Sequence, residues 1–415
     1  MSRPEESYVG NQSRRVERGS EPRLARRIGV GLLTFYGVGV MVGAGIYVLI
    51  GTIAGIAGPL TPLAFLTAGF VAALSAFSFA ELSARIPESA GEAAFAEEAF
   101  GLPLLSTLVG VAVIAVGLVS AAAILKGGAG YVLGLIDIPR APLEFGILIV
   151  LTAIAAAGVV ESLTFAALLT LAEIIGLLAI AAAGLLAPPV MPLGEMLQTS
   201  ISDFSAAVIL PAALLAFFAF VGFEDMVNMA EETVEPERTM PRAIFLAVAI
   251  TTALYALVAI AALRAVAPSD LAASERPLAL VFKAGTGLSD TAIIMIASLA
   301  TLNGVLVQIV MASRVLYGLG RRRPALAVFT RLHPRLRTPV RATIAAAAVI
   351  AALSLAAPIE TLAEMTSILL LAIFIVMNAA LLALKRRGPP PAGAPNTPRV
   401  IPIFGIISAL ALLML

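Results

Sequence analysis

The sequence predicts an all-α membrane protein of many spans, and three observations carry that prediction. Apolar residues make up 60% of the 415 residues and charged residues only 13%, with a mean hydropathy of +1.02. The apolar residues gather in runs of about 18 or more, the length that crosses a hydrocarbon core of roughly 30 Å. The charges sit in short islands between the runs, whereas a soluble domain would spread them over its surface. Backbone amides in lipid must be satisfied within their own segment, so these runs are read as helices. The alternating pattern of a membrane β-barrel is absent.

Eleven runs follow one another, at about 28–55, 61–84, 102–134, 141–160, 163–187, 206–230, 241–264, 288–319, 342–357, 361–384 and 399–415. Ahead of them, residues 1–27 form a polar, Arg-rich segment (Arg14, Arg15, Arg18, Arg23, Arg26 and Arg27). It is too long for the lead-in of a cleavable signal peptide and is expected to be a retained cytoplasmic tail. Span 1 carries Gly43-Ala44-Gly45 in its middle, and span 2 ends on Glu81 and Arg85. Span 3 holds Lys126 before a glycine-rich stretch, and span 5 holds Glu173 at mid-depth. Span 6 runs through Phe220-Val221-Gly222-Phe223-Glu224-Asp225, and span 8 offers Ser298, Thr301 and Asn303. Span 9 is short and is expected to begin earlier than its apolar core. Span 11 reaches Leu415 with no polar tail, which fits either the protein ending there or a chain cut short. Spans 1 to 10 form a core over 28–384, divided into 28–187 and 206–384, and residues 385–415 add a basic loop and span 11.

Charge gives the orientation. With the N-terminus inside, every Lys and Arg of the 27 falls on the cytoplasmic side except Lys126, Arg140, Arg264, Arg276 and Lys283. That asymmetry follows the positive-inside rule, and one missed span would invert it. The expected location is therefore the cytoplasmic membrane, multi-pass, with a cytoplasmic N-terminus.

Spans 1 and 6 are five helices apart and so run in opposite directions. Matching interruptions in corresponding helices of two inverted halves point to a binding site near the midplane. Glycine tolerates the dihedrals of an unwound turn, and the freed amides of a half-helix can take a carboxylate. The competing reading of Gly43 and Gly45 is a small-residue packing interface. Glu224 and Asp225 weigh against it, because carboxylates inside a span are costly unless hydrated or paired. Either they line a cavity or they cap an unwound segment. Glu81 lies close enough to the cytoplasmic side to have a structural or gating role. Glu173 reads equally as a proton carrier or as a neutral acid hydrogen-bonded within the bundle. Asn303 could reach a substrate or cation from span 8.

Several stretches together resemble the amino acid–polyamine–organocation (APC) superfamily. They are Val42-Gly43-Ala44-Gly45-Ile46-Tyr47; Phe79 to Glu92 at the end of span 2; Phe218 to Asp225 with Ala230-Glu231-Glu232; Pro236-Glu237-Arg238 and Pro241-Arg242-Ala243-Ile244; and Ala312 to Gly318. The resemblance implies the five-plus-five inverted-repeat (LeuT-type) transporter fold, with helices 1 and 6 unwound around an amino acid. It also implies that Val42, Gly43, Ala44, Gly45 and Ile46 present backbone to the substrate. Phe220 is then the closing aromatic, with Val221, Gly222 and Glu224 completing the pocket. Possible coupling or gating groups are Glu173, Glu81, Asp225 and Asn303. Many proton-coupled members carry a lysine where Glu173 stands, so lysine-based coupling is not carried over. Arg321-Arg322-Arg323 replaces a common Asp-Gly turn, and a twelfth helix is missing.

The expected function is a permease for small neutral amino acids, working by alternating access with proton coupling or exchange. A proton is favoured over sodium. A cationic amino acid or polyamine carrier is the alternative within transport, and a non-transporting amino acid receptor is a more distant one. With no cysteine and only His333, no metal, cofactor or enzyme chemistry is expected. The lipid bilayer is the other expected partner, and no nucleic acid is.

Overall fold

A computed structural model describes residues 26–43, 45–87, 91–158, 163–202, 204–322, 324–336 and 338–414. Most of the Arg-rich tail, Ala44, Arg323 and Leu415 lie outside the described residues. Every predicted span coincides with helix. Span 1 is two helices, α1 (Val30–Val42) and α2 (Gly45–Ala57), and span 2 is α3 (Thr61–Arg85). A short helix, α4 (Gly91–Phe100), precedes span 3, α5 (Pro103–Val132). Spans 4 and 5 are α6 (Arg140–Ala157) and α7 (Leu163–Leu186), followed by α8 (Leu193–Ser202). Span 6 is α9 (Ala206–Phe217), a 3-10 turn at Phe218–Phe220 and a 3-10 segment at Glu224–Glu232. Span 7 is α10 (Pro236–Ala265), and two short helices follow, α11 (Pro268–Ala273) and α12 (Pro277–Thr286). Spans 8 to 11 are α13 (Thr291–Arg322), α14 (Val340–Ala356), α15 (Ile359–Arg387) and α16 (Val400–Leu413). Span 9 begins at Val340, as its shortness suggested.

Among the described residues, eight stretches are long and apolar enough to cross a membrane, and Val30–Val42, Val340–Ala356 and Val400–Leu413 are shorter apolar helices. The short α4, α8, α11 and α12 connect the spans, and each carries too few consecutive apolar residues to be read as one. Large apolar side chains such as Phe70, Ile149 and Leu299 point outward from the spans. Such outward apolar faces suit lipid rather than water.

The two halves interlock helix by corresponding helix. α3 packs along α10 and α5 along α13, pairing span 2 with span 7 and span 3 with span 8. Spans 1 and 6 meet at their interruptions. This is the pairing that an inverted five-plus-five repeat requires.

Glu81, fully buried, ties together the ends of spans 2, 10 and 11. Its Oε1 pairs with Arg85 at 2.7 Å and Lys385 at 2.9 Å. Its Oε2 accepts the Thr397 backbone N–H at 2.7 Å. Asn378 on α15 donates to Ser75 and accepts from Ser78, both on α3, and a Cβ at Gly405 of α16 would press on Asn378. Span 11 is thereby docked onto spans 2 and 10. A second tie is made by backbone alone. The amides of Arg27 and Ile28 donate to the Glu232 carbonyl at 2.8 and 3.0 Å, and Val234 N–H donates to Ile28 O at 3.0 Å. The start of span 1 is so joined to the end of span 6.

Candidate functional site

The first break is short. Gly43 closes α1 with φ −62° and ψ −18°, its N–H donating to Gly39 O, and α2 restarts at Gly45. Ala44, expected at the heart of the site, lies outside the described residues. In span 6, Val221 leaves the helical region (φ −56°, ψ 127°). Gly222 follows at φ +119°, a conformation that a side chain strains against. Glu224 Oε2 turns back to accept the Gly222 N–H at 2.9 Å, occupying one amide that the break frees. This is the capping role weighed for Glu224, and the carboxyl also lines a cavity.

The two breaks are packed against each other in antiparallel register. A Cβ on Gly45 would run into the Ala219 backbone, and one on Gly222 would run into Val40. Residue numbers thus fall on one strand of the crossing as they rise on the other. Close approach of backbones explains the glycines as well as unwinding does, so the two readings of Gly45 describe one fact. Val42 and Ile46 are fully buried.

Tyr255 on α10 was missed in the sequence. Its hydroxyl lies 2.8 Å from Met41 O and 2.9 Å from Ala219 O, so one hydrogen serves carbonyls beside both breaks. A tyrosine within an apolar span gives no sequence signal of such a role. Phe220, expected as the closing aromatic, packs edge-on against the Tyr255 ring with centroids 5.4 Å apart. A Cβ at Gly69 on α3 would come 3.1 Å from its ring. Packing on Tyr255, with Thr252 and the ring sharing the face of Gly69, sets Phe220 toward spans 2 and 7, and Phe218 takes the cavity position.

Beside the crossing lies a cavity of about 10 Å³, lined by Gly39, Val40, Ser120, Ile124, Phe218, Val221, Asn303, Gly304, Val307 and Gln308. It has room for about one water, so admitting an amino acid requires the walls to part. Asn303 Oδ1 and Gln308 Oε1 have no hydrogen-bond partner among the described residues. A second cavity of similar size is lined by Glu92, Val113, Val116, Glu224, Asp225, Gln308, Met311, Leu370 and Ile373. Gln308 belongs to both.

The remaining expected residues divide. Glu173 is buried on α7 beside the first break, where a Cβ at Gly43 would come 3.7 Å from its Oε1 and 3.1 Å from Ala300 O. Tyr47 donates to the Glu173 carbonyl at 3.5 Å. Glu81 is held in its ion-pair cluster with Arg85 and Lys385, apart from both cavities. Lys126 donates to Ser354 O at 2.8 Å, and Ser354 Oγ donates to Glu144 at 2.7 Å. Among the described residues no group of three or more His, Cys, Asp and Glu is arranged to hold a metal.

Comparison with known proteins adds family evidence. The sequence profile described as amino acid permease matches residues 29–415. A methylthioribose transporter of Bacillus subtilis is 29% identical over 413 residues, covering 93% of this chain and 87% of that protein. A branched-chain amino acid permease of Bacillus subtilis is 27% identical over 426 residues, covering 95% and 89%. A vacuolar cationic amino acid transporter of Arabidopsis thaliana is 29% identical over 395 residues, covering 90% and 65%.

Proposed function

This chain belongs to the amino acid permease family of the APC superfamily, a multi-pass membrane transporter rather than an enzyme, and on that premise we propose that it carries small neutral amino acids across the cytoplasmic membrane by alternating access, with its N-terminus inside. The observation that carries this reading is the back-to-back packing of the two breaks, Gly45 on Ala219 and Gly222 on Val40. Backbone groups of Val42, Gly43, Ala44, Gly45 and Ile46 hold the substrate's carboxylate and ammonium. The apolar faces of Val40, Ile124, Phe218, Val221 and Val307 receive a small side chain, and Asn303 and Gln308 supply hydrogen bonds. Phe220 supports this wall through Tyr255. Coupling is to a proton or by exchange, with Glu173, Glu224 and Asp225 as the buried acids closest to the pathway.

A cationic amino acid is the second reading, favoured by one observation: Glu92, Glu224 and Asp225 gather around the cavity that shares Gln308. A relative named as a cationic amino acid transporter agrees with it.

A thermal-shift screen of all amino acids and polyamines, followed by uptake of the labelled hits into liposomes, separates the readings. A ligand that binds the folded state raises the melting temperature. Hits among alanine-sized or branched neutral amino acids support the first reading, and hits only among lysine, arginine or polyamines support the second. No stabilisation and no uptake with any of them overturns both.

A further inference from the structure

We propose that Glu92, Glu224 and Asp225, together with Gln308, form a proton-binding site at the cytoplasmic end of the substrate pathway, and that release of its proton to the cytoplasm parts α4 from span 6. The proposal rests on the reading of this chain as an alternating-access carrier.

The geometry starts from two elements of different kinds. Glu224 and Asp225 are the first residues of the 3-10 segment that ends span 6. Glu92 lies on α4, outside the spans, and is only 3% exposed. Gly91 opens α4 at φ +50°, and a Cβ there would come 2.7 Å from Asn228 Oδ1, so α4 sits directly on the 3-10 segment. The three carboxyls line one cavity, and among the described residues no Lys or Arg lines it with them. Three carboxylates in so small a space cannot all carry charge.

Gln308 is an independent sign of a ligand. It enters from α13, is 4% exposed, and its Oε1 has no hydrogen-bond partner among the described residues. A Cβ at Gly117 on α5 would come 3.0 Å from that oxygen, so the amide reaches the cavity where glycine makes room. An unsatisfied acceptor beside carboxyls is placed to receive a carboxylic O–H. Glu92 Oε1 and Asp225 Oδ2 are also without partners among the described residues. Burial raises the Glu92 carboxyl to about 7, where a cytoplasmic proton is exchanged readily.

The charges facing α4 from its neighbours are few. Span 6 presents Glu224 and Asp225. From α15, Arg387 donates to the Glu98 and Ala99 carbonyls at the far end of α4. From α5, Ser106 donates to Ala93 O and Glu97. These contacts fix α4 to spans 3 and 10, Ser106 gripping it beside Glu92, while the face that carries Glu92 meets span 6 across the cavity. When the proton leaves for cytoplasmic water, like charges face each other across the cavity and the contact loosens.

The chain has no cysteine, which permits a test independent of substrate. Val113→Cys places one thiol in the cavity wall, and its labelling by a water-soluble maleimide is followed from pH 6 to pH 8. The same variant carrying Glu92→Gln supplies the thiol's own pH dependence. The ratio of the two rates is expected to rise about tenfold, the change in protonated fraction of one group near 7. A constant ratio overturns the proposal. If the double variant does not fold, Leu102→Cys, at an exposed site, replaces it as reference with the same two outcomes. Liposome uptake by the unaltered protein is measured alongside. A rising ratio with no uptake of any amino acid retains the gate and removes the transport reading, and uptake with a constant ratio does the reverse.

Discussion

The Tyr255 hydroxyl meets the Ala219 carbonyl at 2.9 Å while also reaching Met41 O on span 1, so one side chain of span 7 steadies both interrupted helices. Tyr255→Phe leaves the ring and its packing on Phe65 and Phe220 in place and removes only this donor. Leaving a buried carbonyl unsatisfied costs about 1–3 kcal/mol. The expected result is a lower melting temperature with a larger fractional loss of substrate affinity, read by thermal unfolding and by uptake kinetics. Unchanged affinity would dissociate the hydroxyl from the site.

Gly45→Ala and Gly222→Ala are expected to be far more damaging than their size suggests. The first methyl meets the Ala219 backbone, which cannot rotate aside, and the second meets Val40 at φ +119°. Overpacking of this kind costs typically about 1–3 kcal/mol. Both variants should lose transport, and Gly31→Ala, which meets nothing within 4 Å, should retain it. Equal activity in all three would remove the crossing from the mechanism.

Asn303→Leu should move stability and activity in opposite directions. Asn303 Oδ1 lacks a partner among the described residues, and replacing an unsatisfied buried polar group with an apolar one is neutral or stabilising. The melting temperature is expected to hold or rise while uptake falls at least tenfold. A fall in both would mean that the amide serves the fold.

Glu92 predicts a pH profile of stability. Its folded value is raised from 4.5 to about 7, so the folded protein holds this proton where the unfolded chain releases it. The associated stability is fully present below about 4.5 and is lost as pH rises toward 7. Melting temperature in detergent should therefore decline over that window, and Glu92→Gln should flatten the decline.

Glu81→Gln should weaken the tie between spans 2, 10 and 11 without touching the cavities. It leaves Arg85 and Lys385, whose side chains are 11% and 6% exposed, without their carboxylate. Breaking a buried pair by removing one partner costs about 3–5 kcal/mol. The expected loss of stability should leave substrate affinity little changed, measured by thermal shift on the surviving folded fraction.

Much of this architecture is legible in composition and charge, because lipid forces spans to be long, apolar and helical. Gly222 and Glu224 were legible too, since glycine and a carboxylate inside a span need a reason. Gln308 was not, because an uncharged amide in an apolar run costs little and attracts no notice. Tyr255 reads as ordinary packing until its distance to two carbonyls is known. Glu92 shares a short acidic stretch with Glu97 and Glu98, a pattern normal for a solvated loop, and only the fold buries it. The position of Phe220 depends on contacts with Tyr255 and with the face of Gly69 that it shares with Thr252, relations between distant parts of the chain that no local pattern reports.

The backbone clip between Ile28 and Thr233, with the amides of Arg27, Ile28 and Val234 around it, makes a single lever of the first half of span 1 and the last part of span 6. Neither half can swing without dragging the other, since three main-chain hydrogen bonds would have to break first. The hinge points of that lever are the two breaks, at Gly43 and at Val221-Gly222. On the proposed function, such a lever would move in one stroke, with its fulcrum at the proposed substrate site.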